Sequence, residues 1–164
     1  MKLTADEAYE KFADRVFAAA FSICQNRADA DDVVQETFIK YLSAAGSTVP
    51  DFTDTEHVKA WLLRVAINRA KDIRASFWRR HRVSWEEYME ELPFEEPGDG
   101  RLFEAVMSLP ARYRMVIHLY YYEGYSVSEI AGILRCRDGT VKSQLSRGRA
   151  LLKKMLKEDW SDDE

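Results

Sequence analysis

Cysteine, proline and glycine are all scarce in this 164-residue sequence. The two cysteines, Cys24 and Cys136, stand far apart without a CxxC pair or a histidine cluster, which argues against a disulfide framework or a structural zinc site. Only four prolines and seven glycines leave room for long helices. No apolar run approaches the roughly 20 residues that span a bilayer, and the N-terminus lacks a signal-peptide pattern. We therefore expect a mostly helical, cytoplasmic protein with reduced thiols and no membrane insertion.

Charge is divided into blocks along the chain. The formal net charge is −4, but residues 58–82 have 8 basic and 1 acidic side chains, and residues 101–157 have 11 basic and 4 acidic ones. Residues 1–57, 83–100 and 158–164 are net acidic. Because neutralising phosphates releases counterions, two cationic blocks of this size favour nucleic-acid binding. A charged, solvated helix surface is the alternative for either block alone.

One segment has the composition of a linker. Residues 84–100 combine Pro93, Pro97, Gly98 and Gly100 with a dense run of glutamates, which resists packing and helix propagation. The sequence thus predicts an N-terminal helical domain over residues 1–83, an acidic flexible linker over 84–100, and a C-terminal domain over 101–164. The expected fold class is all-α, with two small helical domains.

The N-terminal domain shows helical periodicity in three places. Helices are predicted over residues 4–25, about 30–44 and about 56–80, and none could form a core alone. The residues expected to face the shared core are Ala8, Phe12, Val16, Val34, Phe38, Tyr41, Leu42, Leu62, Val65, Ala66, Ile73 and Phe77. Arg64, Asn68 and Lys71 form a polar stripe on the opposite side of the third helix. Acidic residues at 29, 31 and 32 cluster where the helix dipole of the second helix favours anions.

The C-terminal domain contains a helix-turn-helix pattern. A helix over about 112–123 is followed by Gly124, at a position typical of a helix C-terminus. Ser126 and Glu129 then form a capping box, which marks the start of another helix. A short segment, 135–138, precedes a final helix that starts near Gly139, with Val141 and Leu145 inward. Helix, tight turn and helix in this order predict a helix-turn-helix.

The final helix presents hydrogen-bonding and basic side chains outward. In a helix-turn-helix the second helix lies in the major groove, and its N-terminal residues meet base edges. Such side chains contact bases and phosphates. The outward and flanking residues are Thr140, Lys142, Ser143, Gln144, Ser146 and Arg147, and the cationic track continues through Arg149, Lys153 and Lys154.

These segments together resemble the sigma-70 family of transcription initiation factors, in its extracytoplasmic-function (ECF) group. Residues 109–154 resemble the C-terminal promoter-binding domain, and the run GTVKS…LSR at 139–147 is especially typical of the ECF group. Residues 29–38 are similar to the helix that binds RNA polymerase. Residues 61–72 are similar to the helix that engages the promoter −10 element. The resemblance covers nearly the whole chain, in the expected order.

The resemblance implies a role for each matching residue. Asp32, Gln35 and Glu36 would bind core RNA polymerase, although helix-start electrostatics is an alternative for Asp32 and Glu36. The −10 element would be contacted by Arg64, Asn68, Lys71 and Arg74, and the −35 element by Arg137, Thr140, Lys142, Ser143, Gln144, Ser146, Arg147 and Arg149. The loop over 46–55 would receive a flipped base. The linker would enter the RNA path of polymerase or serve as a solvated spacer.

Three positions depart from the family pattern. The family usually has serine or a similar cap where Arg137 stands, often glycine where Arg135 stands, and often arginine where Gln144 stands. Asp138 is therefore an alternative cap for the final helix, which would shift its start by one residue. The departure at Gln144 predicts an unusual −35 preference.

The function that follows is promoter-specific initiation with core RNA polymerase, under control of an anti-sigma factor. A stand-alone helix-turn-helix regulator is the alternative, but it would not require the N-terminal helices. No arrangement of carboxylates or of a nucleophile with a histidine indicates an enzyme. The three histidines, His57, His81 and His118, lie apart, so no metal or other cofactor is expected. Trp61 is interpreted as core or as a stacking residue for melted DNA, and the tyrosines at 120–122 as core and rim.

Overall fold

The structure is a computed structural model that describes residues 3–44, 54–77 and 101–162. Every regular element in these ranges is helical, which confirms the predicted all-α class. The chain divides into two compact units, residues 1–84 and 85–164. The predicted linker, almost all of the loop at 46–55 and the basic cluster at 79–82 lie outside the described residues.

Three long helices form the N-terminal unit. They are α1 (Ala5–Cys24), α2 (Arg27–Ala44) and α3 (Thr55–Phe77), and each packs against the other two. Thr4 caps α1 through a capping box with Glu7: its hydroxyl accepts from the Glu7 amide, and the Glu7 carboxylate accepts from the Thr4 amide. The core between the helices combines small alanines with large, fully buried side chains such as Phe21, Leu62 and Ile67. Each of these large side chains contributes about 1.5–3 kcal/mol by leaving water.

The predicted core stripe of α2 is confirmed at Val34, Phe38 and Tyr41 and is wrong at Leu42. The first three are buried, whereas Leu42 is 64% exposed. Each step of four residues advances about 40° around an α-helix, so a stripe spaced in fours drifts outward along its length. In addition, the Tyr41 hydroxyl donates to the Leu3 carbonyl oxygen at 2.6 Å, which holds Tyr41 on the buried side.

The C-terminal unit is built from shorter helices around a long one. The helices are α4 (Arg101–Ser108), α5 (Ala111–Ile117), α6 (Val127–Leu134) and α7 (Asp138–Asp162), and α7 packs against the other three. The predicted helix over 112–123 ends differently, because α5 continues as a π-helical turn over His118–Tyr122. The Glu123 amide donates to the His118 carbonyl oxygen at 3.1 Å, five residues back. Gly124 follows with φ of +76°, as expected of a glycine at a helix end.

A buried arginine joins α4 to α5. Arg114 is 2% exposed, and its Nη1 donates to the carbonyl oxygens of Leu109 at 2.8 Å and Met107 at 3.3 Å. These carbonyls lie at and just after the C-terminus of α4, where backbone acceptors lack partners inside the helix. Arg114 therefore stabilises the packing of α4 on α5 and does not add to the positive charge of the surface.

Candidate promoter and polymerase interfaces

The helix-turn-helix is formed by α6, a three-residue turn and α7. The predicted capping box is confirmed: Ser126 Oγ accepts from the Glu129 amide at 3.2 Å, and Glu129 Oε1 accepts from the Ser126 amide at 3.0 Å. In the turn, Arg135 adopts the left-handed conformation with φ of 55°, where glycine is favoured. The amides of Arg135 and Cys136 both donate to the Ala131 carbonyl oxygen, which ends α6.

α7 starts one residue earlier than it would if Asp138 were its N-cap. Asp138 is the first residue of the helix, and the Arg137 carbonyl oxygen accepts from the amides of Thr140 and Val141 at 3.0 and 3.2 Å. The Asp138 carboxylate instead accepts from the Ser128 hydroxyl at 2.9 Å. The interpretation of Asp138 as the cap is therefore wrong. Its carboxylate links the first turns of α6 and α7.

The predicted −35 residues share the outer surface of the helix-turn-helix. Val141 and Leu145 are buried at 0% and 2% exposure, as predicted. Gln144 is half-buried, so it borders the packed side. The other predicted −35 residues are exposed: Arg137, Thr140, Lys142, Ser143, Ser146, Arg147 and Arg149. The structure thus brings all eight to one helix and its preceding turn.

A glycine lets α7 cross α5 at short range. A Cβ atom at Gly148, which is buried, would lie 2.7 Å from Ile117 Cδ1 and 3.3 Å from Tyr113 Cβ. These distances fall within or near the limit of steric overlap, so the contact depends on the missing side chain. Arg147 and Arg149, on either side of this glycine, both contact tyrosines of the α5 segment.

The first of these contacts is at Tyr113. Its pKa is lowered from the ordinary value, first by a hydrogen bond from Arg112 (3.3 Å from Nη2 to the hydroxyl) and also by a hydrogen bond from Arg147. The Arg112 guanidinium carbon also lies 4.5 Å from the centre of the Tyr113 ring. The Tyr113 hydroxyl therefore accepts a hydrogen bond from Arg112, and the positive charge of Arg147 further favours its ionised form.

The second contact joins Arg149 to the π-helical turn. Arg149 Nε donates to the Tyr121 hydroxyl at 2.5 Å, and its guanidinium carbon lies 5.3 and 5.4 Å from the ring centres of Tyr120 and Tyr121. The tyrosines at 120–122 were expected in the core or at its rim. Tyr121 is 59% exposed and therefore belongs to the rim. The periodicity of the sequence did not predict that Tyr120 and Tyr121 contact α7.

On α3 the predicted −10 residues separate into two groups. Asn68 and Lys71 are exposed and Arg64 is half-buried on the same stripe. Arg74 lies further round the helix, and its Nη1 donates to the Ile23 carbonyl oxygen at 2.9 Å, near the end of α1. Burial lowers the pKa of Arg74 from its ordinary value. Arg74 thus connects α3 to α1, a use that the spacing of charges did not reveal.

The outer stripe of α2 contains the predicted polymerase residues and two apolar ones. Asp32 and Gln35 are exposed, while Glu36 accepts from Arg69 of α3, with 2.6 Å between Oε2 and Nε. Ile39, which is 61% exposed, and Leu42 continue this stripe at helical spacing. Neither residue was predicted to lie at the surface, although their helical spacing from Asp32 and Gln35 indicates it.

The start of α2 bears on the electrostatic alternative for the acidic residues. The helix begins at Arg27, three residues before the predicted start, and the Asn26 side chain accepts from the Asp29 amide at 2.9 Å. Asp29 therefore lies in the first turn, whereas Asp32 and Glu36 lie beyond it. Because the dipole effect fades within one turn, it does not account for the later two carboxylates.

Trp61 was interpreted either as a core residue or as a stacking residue for melted DNA, and its burial is intermediate. Its side chain is half-buried, and its ring meets the ring of buried Tyr41 edge-to-face at 5.9 Å. The contact stabilises the packing of α3 on α2. In the ranges that the structure describes, no group of three or more histidine, cysteine or acidic side chains could hold a metal, and no helix is long and apolar enough to cross a membrane.

Comparison with known proteins agrees with this geometry. Residues 8–83 match sigma-70 region 2, and residues 99–152 match sigma-70 region 4. The chain is 33% identical to RNA polymerase sigma factor SigV of Bacillus subtilis over 149 residues, which cover 88% of this chain and 87% of the relative. It is 31% identical to ECF RNA polymerase sigma factor SigE of Mycolicibacterium smegmatis over 96% of this chain, and it spans 63% of that relative's length.

Two solved structures have the same fold. CnrH, in complex with the cytosolic domain of CnrY, has a TM-score of 0.69 and 26% identity, covering 94% of this chain and 88% of that one. The sigma factor RpoE of Bartonella quintana, in complex with the anti-sigma factor NepR, has a TM-score of 0.69 and 24% identity, covering 93% and 96%. Two helical regions in this order define a sigma-70 factor. The chain belongs to the ECF group of that family, whose members direct promoter-specific transcription initiation with RNA polymerase.

Proposed function

We propose that this chain binds core RNA polymerase in the cytoplasm and confers promoter specificity through two surfaces, α3 for the −10 element and α7 for the −35 element. The observation that supports this most strongly is the conjunction of region 2 and region 4 in one chain with a helix-turn-helix whose outer side is cationic. A stand-alone helix-turn-helix regulator does not account for the region 2 match. The factor itself performs no catalysis in this proposal.

The −35 surface consists of α7 and the turn before it. Ser143 and Arg147 lie one turn apart on the exposed side, where both reach one groove. The paired donors of an arginine side chain match the O6 and N7 acceptors of guanine. Lys153 and Lys154, which are exposed further along α7, suit phosphate contacts. We therefore assign base contacts to α7 as far as Arg147 and phosphate contacts to the residues from Arg149 onward.

The −10 surface consists of the exposed stripe of α3. We assign DNA contact to Arg64, Asn68 and Lys71, because they share one side of the helix. For Arg74 we propose an indirect contribution, since its guanidinium is engaged with the Ile23 carbonyl. Loss of Arg74 would then disturb the packing of α1 on α3 before it affected DNA.

The polymerase surface consists of the outer stripe of α2. Exposed apolar side chains that border polar ones are typical of protein interfaces. Ile39 and Leu42 therefore supply buried apolar area upon binding, and Asp32 and Gln35 supply polar contacts at its edge. Glu36 is partly committed to Arg69, so its share in binding is smaller than that of Asp32.

Run-off transcription with core polymerase tests the proposal as a whole. Core enzyme plus this chain should initiate at specific sites in a library of genomic DNA, and core enzyme alone should not. Asp32→Lys should reduce association with core polymerase at least tenfold without lowering the melting temperature. Asp14→Lys on α1, also an exposed carboxylate, changes net charge equally and should have no such effect. If both variants lose the same amount of affinity for core polymerase, α2 is not part of the interface.

An anti-sigma factor is the remaining partner in the proposal. Both structural relatives were solved with protein partners, one named an anti-sigma factor and the other a cytosolic domain. We expect an inhibitor of this kind to bind the free chain and to block the surfaces on α2 and α7. Competition between the inhibitor and core polymerase for the chain measures this directly.

A further inference from the structure

The contact between Arg149 and Tyr121 places a cation at the edge of the DNA-binding helix. Arg149 Nε donates to the Tyr121 hydroxyl, and the guanidinium lies over the rings of Tyr120 and Tyr121. A guanidinium has five N–H donors, so this bond leaves four on the two terminal nitrogens. Arg149 is exposed, and those donors are available to a ligand outside the protein.

The partners of Arg149 are neutral. In the described part of the chain, the structure gives Arg149 no carboxylate contact, only the phenol and the two rings. A carboxylate partner would orient the guanidinium but would also cancel its charge for a nearby phosphate. A phenol orients it by a hydrogen bond and an aromatic face while the positive charge remains.

The geometry of this contact is set by the packing beneath it. Gly148, next to Arg149, lets α7 approach α5 closely, and Tyr121 belongs to the π-helical turn that extends α5. Short π-helical turns are frequent at functional sites. An arginine side chain loses rotamer entropy when it binds a ligand, and prior orientation reduces that loss.

We propose that Tyr121 is a positioning residue of the −35 interface, which orients Arg149 toward a DNA phosphate while leaving its charge intact. This rests on the proposed function, in which α7 binds promoter DNA. Tyr120 assists by stacking. The proposal makes Tyr121 a determinant of DNA affinity although its own side chain need not contact DNA.

The test measures binding of the reconstituted holoenzyme to promoter duplexes over a range of salt concentrations. Arg149→Ala should weaken binding about tenfold and lower the salt slope by about 0.9, the value for one phosphate. Tyr121→Phe, which keeps the ring and removes the hydroxyl, should weaken binding about 2- to 10-fold with the slope unchanged. Tyr121→Glu should lower the slope as Arg149→Ala does, because it neutralises the cation.

A double variant separates positioning from a general structural role. Tyr121→Phe should have no further effect in the Arg149→Ala background, since its only route to DNA is then absent. Tyr122→Phe, in the same turn, is the matched control and should leave both affinity and slope unchanged. Equal loss from Tyr121→Phe with and without Arg149, or a Tyr121→Glu variant with the wild-type slope, would overturn the proposal. Failure of the wild-type holoenzyme to initiate would instead contradict the proposed function.

Discussion

The arginines of α3 and the exposed arginines of α7 are used in different ways. In the N-terminal unit, Arg69 is paired with the Glu36 carboxylate and Arg74 with the Ile23 carbonyl, so both hold helices together. On α7 of the C-terminal unit, Arg149 donates to the hydroxyl of Tyr121, and Arg147, after Arg112, lowers the pKa of Tyr113. The partner therefore indicates the use of the cation. Arg69 and Arg74 are held within the fold by acceptors of another helix, whereas Arg149 is exposed and has a neutral phenol as its partner.

Arg114 offers the strongest test of the structural use of arginine. Arg114→Met should destabilise the C-terminal unit by about 2–4 kcal/mol, because two carbonyls near the end of α4 lose their donor. Thermal unfolding combined with hydrogen exchange in α4 and α5 would measure this. Arg112→Met, at an exposed neighbour on the same helix, is the control and should cost far less. Equal costs would show that burial of the guanidinium does not matter.

The close crossing that supports both arginine–tyrosine contacts is tested at Gly148. Gly148→Val should cost about 1–3 kcal/mol, since its Cβ would overlap Ile117 and its added methyls would press on Tyr113. Gly132→Val on α6 is the matched control, because a Cβ there meets nothing within 4 Å. Chemical denaturation of both variants gives the difference. If both glycines tolerate valine equally, α7 does not depend on close approach to α5.

Arg147 tests whether an exposed arginine of α7 distinguishes promoter sequences. Arg147→Ala should flatten preference at one or two −35 positions by about 1–3 kcal/mol, the usual value of a good guanine contact. Lys153→Ala should instead weaken all sequences equally and lower the salt slope by about one. Transcription of a −35 library by holoenzymes with each variant provides the comparison. A uniform loss from Arg147→Ala would make it a phosphate contact.

The pair of Arg69 and Glu36 should have a small effect on stability. Both side chains are about 40% exposed, and exposed ion pairs contribute about 0–1 kcal/mol. Glu36→Gln and Arg69→Met should each lower the free energy of unfolding by no more than that amount. Denaturant titration of the single and double variants gives their coupling. A coupling well above 1 kcal/mol would place this pair among the main determinants of the fold.

Much of this architecture could be predicted from the sequence, because local signals and tertiary packing agree. The spacing of Phe12 and Val16 predicted a buried stripe, and the capping box at Ser126 and Glu129 marked the start of α6 to the residue. Val141 and Leu145 oriented α7 correctly. Each of these signals is contained within one or two helical turns.

The remaining features depend on contacts between segments distant in sequence. Arg74 and Ile23 are 51 residues apart, and Arg69 and Glu36 are 33 apart, so charge spacing within α3 could not reveal either contact. The π-helical turn was missed because one turn of five residues is too short to show a period different from that of an α-helix. Leu42 was misassigned because the buried stripe of α2 drifts around the helix.

Arg135 has a consequence for the durability of the protein. It adopts the left-handed conformation between α6 and α7, at a cost of about 1–2 kcal/mol for a residue with a side chain. Arg135→Gly should remove that cost, and the greater freedom of glycine in the unfolded chain should return about half of it. The expected net gain is at most about 1 kcal/mol, visible as a higher melting temperature of the C-terminal unit. The turn of the helix-turn-helix thus has an avoidable conformational cost, and Arg135→Gly is the substitution that would remove it.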